Sequence, residues 1–110
     1  MGAMQFLSQY VKVAEVKETP PGSIKVIPGI DRVSVCLINL EGNYFAISGV
    51  CPHKGGPLYK GILRSKSLVC PWHNAGFRVD TGRHTWPAQR DLRTFEVKIE
   101  GDSVLIKRSD

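Results

Sequence analysis

The stretch that decides how this chain is organised contains CPH at residues 51–53 and CPWH at residues 70–73, separated by sixteen residues. These two short clusters contain two of the protein's three cysteines and two of its three histidines. Each cluster supplies one thiolate and one imidazole, and each also contains a proline that restricts the backbone. The candidate metal ligands are therefore Cys51, His53, Cys70 and His73.

Two thiolates and two imidazoles suit either a tetrahedral zinc ion or an iron–sulfur cluster. Structural zinc sites usually separate paired ligands by about two to four residues. Here one residue separates the first pair and two separate the second. On two facing loops, this unequal spacing can present two cysteines to one metal and two histidines to a second. The pattern favours a binuclear iron–sulfur cluster, with a zinc-binding interaction module as the less favoured alternative.

The composition predicts a single globular domain over residues 1–110, with its cluster-binding part at roughly residues 46–88. Apolar residues make up 42% of the chain and charged residues 23%, a balance that disfavours disorder. The longest apolar run is too short to span a bilayer, and the first ten residues lack the features of a signal peptide. Three cysteines without an export signal predict a reducing cytoplasm rather than a disulfide framework.

The formal charge of +5 is concentrated around the two clusters. Between Gly42 and Val79 the sequence has no acidic residue, but it has five basic ones: Lys54, Lys60, Arg64, Lys66 and Arg78. A basic surface can bind nucleic acid, a membrane or an acidic protein. No aromatic–basic stripe or recognition helix accompanies the charge, so nucleic acid is weakly supported. The alternatives are a partner with an acidic docking face and an ordinary solvated surface.

Short alternating segments and regularly spaced turn residues predict an all-β fold, a small antiparallel sandwich or barrel with a loop-rich tip. Pro21-Gly22 predicts a type II turn, and Pro28-Gly29 predicts the end of a strand. No segment has a helical period that predicts a helix. The predicted strands cover residues 5–16, 24–27, 33–40, 44–47, 62–63, 67–69, 77–79, 83–85, 94–99 and 104–107.

The two clusters, the gap between them, and the later Gly82 and Pro87 together resemble a Rieske-type iron–sulfur domain over essentially the whole chain. The resemblance implies one [2Fe–2S] cluster at the tip of a small all-β domain. It also implies that Cys51 and Cys70 hold the inner iron, and that His53 and His73 hold the outer, more exposed iron. Two neutral imidazoles in place of two thiolates raise the reduction potential into a window of about −150 to +300 mV.

The chain differs from the Rieske proteins of respiratory bc-type complexes at positions that matter for this potential. Gly56 and Trp72 stand where those proteins carry two further cysteines, joined in a disulfide. Residues 74–76 (Asn-Ala-Gly) follow the second histidine, where those proteins place a serine. With fewer groups to stabilise the reduced cluster, we expect a potential in the lower half of the window. The chain therefore resembles the soluble Rieske ferredoxin branch.

The predicted outer ligands also predict a link between electron and proton uptake. An imidazole that binds iron through one nitrogen leaves the other N–H near solvent or a partner. Oxidised iron acidifies that N–H, and reduction restores its basicity. We therefore expect the midpoint potential to fall with pH in alkaline solution; a flat potential would contradict the assignment of His53 and His73.

Several other residues have simpler predicted roles. We interpret Cys36 as a small buried hydrophobe and His84 as a surface strand residue. Trp72 and Trp86 either shield the cluster or offer a docking surface, and shielding is favoured. A second hypothesis gives Pro52, Leu58 and Tyr59 an apolar docking rim.

The predicted function is one-electron transfer between a reductase and an oxygenase or another redox enzyme. No hydrolytic constellation or substrate pocket is evident, so the chain is predicted to be an electron carrier without a catalytic site of its own. Neither a nucleic acid nor a membrane partner is expected. One alternative remains beside the zinc module, namely a small Rieske subunit of a larger reductase of the nitrite-reductase type.

Overall fold

The computed structural model describes residues 9–30, 33–50, 57–72, 75–85 and 91–108. Within these ranges the chain forms eleven strands and two single 3-10 turns, Val16–Glu18 and Leu58–Lys60, and it has no α-helix. The strands are β1 (Tyr10–Glu15), β2 (Ile24–Ile30), β3 (Val33–Leu40), β4 (Asn43–Ser48), β5 (Ile62–Arg64), β6 (Ser67–Val69), β7 (Gly76–Arg78), β8 (His84–Thr85), β9 (Thr94–Phe95), β10 (Val97–Glu100) and β11 (Ser103–Lys107).

The strands form three antiparallel sheets. The terminal sheet has the order β1-β11-β10, the central sheet β2-β3-β4-β9, and the hairpin sheet β5-β6-β7-β8. Most neighbours in the sheets are also consecutive in sequence, which is the arrangement expected from short connections. The prediction of an antiparallel all-β fold is confirmed.

β3 lies at the centre of the fold, and its two faces pack in two different hydrophobic cores. Val35, Cys36, Leu37 and Ile38 are all fully buried. Val35 and Leu37 pack in a core with residues of the terminal sheet, whereas Cys36 and Ile38 pack in a second core with residues of the hairpin sheet. The central sheet therefore lies between the other two, and this explains the continuous apolar run in β3. The prediction that Cys36 is a buried hydrophobe is confirmed.

The predicted strand over residues 94–99 is wrong as a single element, because the chain changes sheets within it. Phe95 in β9 pairs with Ala46 of the central sheet, while Val97 in β10 pairs with Ile106 of the terminal sheet. Glu96 lies between the two strands. Phe95 is consequently buried and Ile99 is exposed, although both fit one alternating pattern.

The prediction that β2 ends at Pro28-Gly29 is also wrong. β2 continues to Ile30, and its pairing with β3 shifts register between Ile27 and Ile30. Gly29 has a φ of +80°, a conformation that glycine adopts without steric strain, so the Pro-Gly pair forms an irregularity within the strand. The type II turn at Pro21-Gly22 is confirmed: Gly22 has a φ of +87°, and Ser23 N–H donates to the Pro20 carbonyl at 3.0 Å.

A buried polar network joins this turn region to the β3–β4 hairpin. The side-chain amide of Asn39 donates to the Thr19 carbonyl at 2.7 Å, and its oxygen accepts from Gly42 N–H at 2.7 Å. The Thr19 hydroxyl lies 2.6 Å from the Tyr44 hydroxyl. Thr19 and Asn39 are the buried polar residues of the described chain, and these hydrogen bonds satisfy their side chains.

Asn39→Ala is expected to lower the free energy of unfolding by about 2 kcal/mol, because it leaves the Thr19 carbonyl and the Gly42 amide without these partners. Chemical denaturation checks this value. Asn43→Ala is the matched control, since Asn43 is exposed at the start of β4, and its effect should stay within about 0.5 kcal/mol. Equal effects of the two substitutions would show that the network contributes nothing specific.

Candidate metal centre

Cys70 lies directly after β6, at the point where the chain leaves the hairpin sheet. Its backbone N–H donates to the Ala75 carbonyl at 2.7 Å, next to the Val69–Gly76 pair that joins β6 to β7. These contacts close the base of the second Cys/His loop. The Cys70 side chain is fully buried and belongs to the core between the central and hairpin sheets. A rigid sheet therefore fixes the position of this sulfur.

The Cys70 sulfur also has a polar partner. The backbone N–H of Trp72 donates to Sγ at 3.4 Å. A thiolate is the form of cysteine that binds metals, and an N–H donor stabilises its negative charge. A buried sulfur with such a donor fits a ligand of an iron–sulfur cluster.

The base of the first Cys/His loop is fixed in a similar way. Val50 and Pro57 form an isolated antiparallel bridge on either side of residues 51–56. Leu58 follows at once, and it is fully buried in the same core as Cys70. A Cβ on Gly61 would lie 2.3 Å from the Val69 carbonyl oxygen, so the chain after the first loop passes against the end of β6. The described ends of both loops thus converge on one core.

Of the four predicted ligands, the structure describes Cys70. Cys51, His53 and His73 lie outside the described residues, so the full ligand set stays a prediction. Among the described residues, no group of three His, Cys, Asp or Glu side chains could hold a metal ion.

Cys36, the other described cysteine, has different surroundings. Burial raises the pKa of its thiol to about 12, so the thiol is neutral at physiological pH. Neither Cys36 nor Cys70 is in a disulfide. Since Cys36 lies within β3, it serves as a buried cysteine for comparison with Cys70.

His84 and Asp91 contact each other, seven residues apart in the sequence. Both the backbone N–H and the ring Nδ1 of His84 contact Asp91 Oδ1, at 3.0 and 2.6 Å. Hydrogen bonds from His84 hold the pKa of the Asp91 carboxyl below its usual range. His84 is an exposed strand residue, as predicted, but its carboxylate partner could not be recognised from the sequence pattern. Residues 86–90, with Trp86 and Pro87, lie outside the described residues.

Exposed apolar side chains occur near the ends of both loops. They form what we call the apolar rim: Val50, Tyr59, Ile62 and Trp72. Ile62 pairs with Val69, next to Cys70, and is 62% exposed. The sequence predicted a docking rim of Pro52, Leu58 and Tyr59. Tyr59 is exposed, as this prediction requires, whereas Leu58 is buried and the prediction is wrong for it. Pro52 lies outside the described residues. Trp72 is 49% exposed, so part of its side chain is accessible to a partner, and its shielding of the cluster stays a prediction.

The basic residues that were expected to surround the exposed edge of the cluster are Lys54, Lys60, Arg64 and Lys66, and the topology separates them. Lys60 precedes Gly61, beside the end of β6 where Cys70 lies. Arg64 pairs with Ser67 at the other end of the same hairpin, and Lys66 lies in the turn between them. Lys54 lies outside the described residues. The acid-free stretch of sequence therefore does not form one continuous ring around Cys70.

The comparisons with known proteins agree with this geometry. Residues 9–96 match the family model of the Rieske [2Fe-2S] domain. The ferredoxin component of biphenyl 2,3-dioxygenase from Rhodococcus jostii (strain RHA1) is 36% identical over 97 residues, which cover 86% of this chain and 89% of that protein. Apoptosis-inducing factor 3 of Mus musculus is 36% identical over 98 residues. That match covers 88% of this chain, but the chain spans only 16% of the length of this relative.

A solved structure shows the same architecture. The ferredoxin of carbazole 1,9a-dioxygenase from Nocardioides aromaticivorans IC177 has a TM-score of 0.85 and 26% sequence identity, over 92% of this chain and 99% of that one. Together these matches confirm the resemblance carried by the two Cys/His clusters. The chain therefore belongs to the Rieske [2Fe-2S] domain family.

Proposed function

We propose that this chain is a one-electron carrier that holds a single [2Fe–2S] cluster on Cys51, His53, Cys70 and His73. The observation that carries the proposal is the buried Cys70 sulfur, which accepts the Trp72 N–H at the point where both loop bases converge. When bound, such a cluster takes up and releases one electron reversibly. The residues of the chain hold the ligand sulfur in place, donate to it, and keep water away from it.

The surroundings of Cys70 support transfer to a protein partner. Electron transfer needs close approach of the partner, and the apolar rim offers exposed Ile62 and Trp72 near the Cys70 end of the hairpin sheet. Aromatic and aliphatic side chains of this kind form the centre of protein interfaces. Lys60 adds a positive charge, which favours a partner with an acidic face.

Relatives indicate the class of partner. Two of these relatives are named as the ferredoxins of biphenyl 2,3-dioxygenase and of carbazole 1,9a-dioxygenase. By analogy, we propose a reductase as the electron donor and an oxygenase or similar redox enzyme as the acceptor, with the chain acting in the cytoplasm as a single domain over residues 1–110. Within the described residues, no helix has both the length and the apolar character that a membrane crossing requires.

Metal analysis tests the proposal. The purified protein should be red-brown, contain two irons and two sulfides per chain, and take up one electron per chain in an anaerobic dithionite titration. A colourless protein with bound zinc would contradict the proposal and favour the interaction module. Co-purification in a fixed ratio with a large reductase subunit would favour the alternative of a reductase subunit.

Substitutions in the apolar rim should slow electron transfer without changing the cluster. For Ile62→Ser, we expect the second-order rate constant for reduction by a dioxygenase-type reductase to fall roughly tenfold, with an unchanged visible spectrum. Stopped-flow absorbance measures this rate. Val26→Ser is the matched control, because Val26 is 41% exposed on β2, in the central sheet. Similar losses from both variants would show that the rim is not the docking surface.

A further inference from the structure

One edge of the terminal sheet is open, and the proposed function does not use it. β10 is an edge strand, because the sheet has the order β1-β11-β10, and no described strand pairs with its other side. Lys98, Ile99 and Glu100 are all exposed. Ile99 is 43% exposed although Val104, its partner in β11, is fully buried. The apolar face of the terminal sheet therefore reaches solvent at this edge.

The hydrogen bonds of β10 indicate which backbone groups face the open edge. Lys107 N–H donates to the Glu96 carbonyl at 3.0 Å. Hydrogen-bonded and non-hydrogen-bonded pairs alternate along an antiparallel ladder, so every second residue after Glu96 also bonds to β11. The N–H and C=O groups of Val97 and Ile99 point instead towards the open edge. Groups in this position can bind a further antiparallel strand.

The other sheet edges are less suited to strand pairing. β1, on the opposite side of the terminal sheet, has a register shift between Lys12 and Ala14, and β2 has one around Pro28. Such irregularities and prolines protect an edge from pairing with another strand. β5, β8 and β9 are only two or three residues long. β10, by contrast, pairs with β11 in unbroken register over four residues.

The side chains of β10 are complementary to those of a second copy of the same strand. In a two-fold antiparallel pair centred on Ile99, Lys98 of one copy lies opposite Glu100 of the other, and the symmetry repeats this pair. Both are non-hydrogen-bonded positions, where opposite Cα atoms are about 4.5 Å apart and side chains are closest. Opposite charges stabilise a sheet in these positions, and the two exposed Ile99 side chains also meet.

This pairing requires no unpaired charge. Within one chain, Lys98 Nζ lies 3.4 Å from Glu100 Oε2 and 5.5 Å from the centre of the Tyr10 ring. The Lys98 and Glu100 side chains are each about half exposed. A second copy leaves their contact in place and adds the same two charges in the opposite order, so that four charges alternate in sign. The interface is neutral, although each chain has a formal charge of +5.

We infer that the β10 edge is an interaction surface for a second copy of this chain, and that it joins two three-stranded terminal sheets into one continuous sheet. The paired segment is short, so the dimer is weak and forms at high protein concentration. Because the central sheet lies between β10 and the hairpin sheet, the Cys70 end of each copy stays uncovered. That the dimer would carry two clusters rests on the proposed function; the surface itself does not.

Sedimentation velocity of the purified full chain tests the inference. From about 10 μM to about 1 mM, the sedimentation coefficient should rise towards that of a dimer. Lys98→Glu and Glu100→Lys should each raise the dissociation constant roughly tenfold, because each places like charges opposite one another at two positions. An equimolar mixture of the two variants should restore the dissociation constant to within about threefold, since the mixed dimer again pairs opposite charges.

Lys12→Glu is the matched control, because it makes the same charge change on β1, at the other edge of the sheet. It should leave the dissociation constant within about twofold of the unchanged protein. Both Lys→Glu variants lower the formal net charge of +5 by two, which by itself favours association, so weakening by Lys98→Glu alone is specific to the β10 edge.

Three results would overturn the inference: a chain that stays monomeric at the highest concentration, equal dissociation constants for Lys98→Glu and Lys12→Glu, or a mixture of Lys98→Glu and Glu100→Lys that does not recover the dimer. Iron content is measured in parallel. A protein that forms this dimer but binds no iron would overturn the proposed function and leave the interaction surface intact.

Discussion

Replacing Cys70 with alanine abolishes the bound iron and the visible absorption, if this sulfur is a cluster ligand as proposed. Cys70 is fully buried, and its Sγ accepts the Trp72 N–H, so the substitution removes a sulfur that the fold holds in a defined position. A binuclear cluster that loses one of its ligands exposes an iron to water and is not retained. Iron analysis and the visible spectrum of the purified variant give the result directly.

Cys36→Ala is the control that makes this result specific. Cys36 is as fully buried as Cys70, so both substitutions remove a sulfur from the same core. The control should lose about 1 kcal/mol of stability through the small cavity but keep its full iron content. Loss of iron from both variants would indicate general damage to the core. Retention of iron in Cys70→Ala would remove Cys70 from the ligand set.

Gly82→Ala should lower the free energy of unfolding by about 3 kcal/mol, through two effects that act together. Gly82 has a φ of +74°, which strains any residue with a Cβ. The new Cβ would also lie 2.3 Å from the Leu92 carbonyl oxygen and 2.9 Å from Thr94 Cγ2. The Leu92 N–H donates to the Gly82 carbonyl at 2.7 Å, so the two segments cannot separate without losing this bond. Urea denaturation measures the change.

Gly29→Ala separates the two effects. Gly29 has a similar φ of +80°, but nothing lies within 4 Å of its Cβ position. Only conformational strain remains there, and the expected loss is about 1 kcal/mol. If the two variants lost equal stability, close packing of residue 82 against residue 92 would not contribute to the fold.

The layered β architecture could be predicted because its signals are local. The Pro21-Gly22 turn and the hairpin that leads to Cys70 depend on residues that are adjacent in the sequence. The apolar run of β3 was recognised as a strand for the same reason. Its position between two sheets was not predicted, because a short apolar run does not indicate which other elements pack against its two faces.

Features that depend on distant residues could not be predicted. Phe95, Val97 and Ile99 alternate as they would in one strand. The strand nevertheless divides at Glu96, because Phe95 pairs with Ala46 of the central sheet and Val97 pairs with Ile106 of the terminal sheet. Likewise, Arg64 and Lys66 were expected around the two Cys/His clusters because they lie between them in the sequence. The length of the β5–β6 hairpin moves them to its opposite end.

The candidate site shows the same division. Cys70 could be identified from its motif, since ligand identity and spacing are sequence properties. Its Trp72 N–H donor and the exposed Ile62 were missed, because both depend on how the backbone turns at the end of β6.

The most direct test of the central claim is electron paramagnetic resonance of the dithionite-reduced protein, combined with detection of nitrogen couplings at low temperature. The account predicts the signal of one reduced [2Fe–2S] cluster per chain, coupled to the nitrogens of two imidazoles. A signal without nitrogen coupling would indicate a cluster that has no imidazole ligands, and the absence of any signal would indicate zinc or no metal. Either result would contradict the assignment of Cys51, His53, Cys70 and His73.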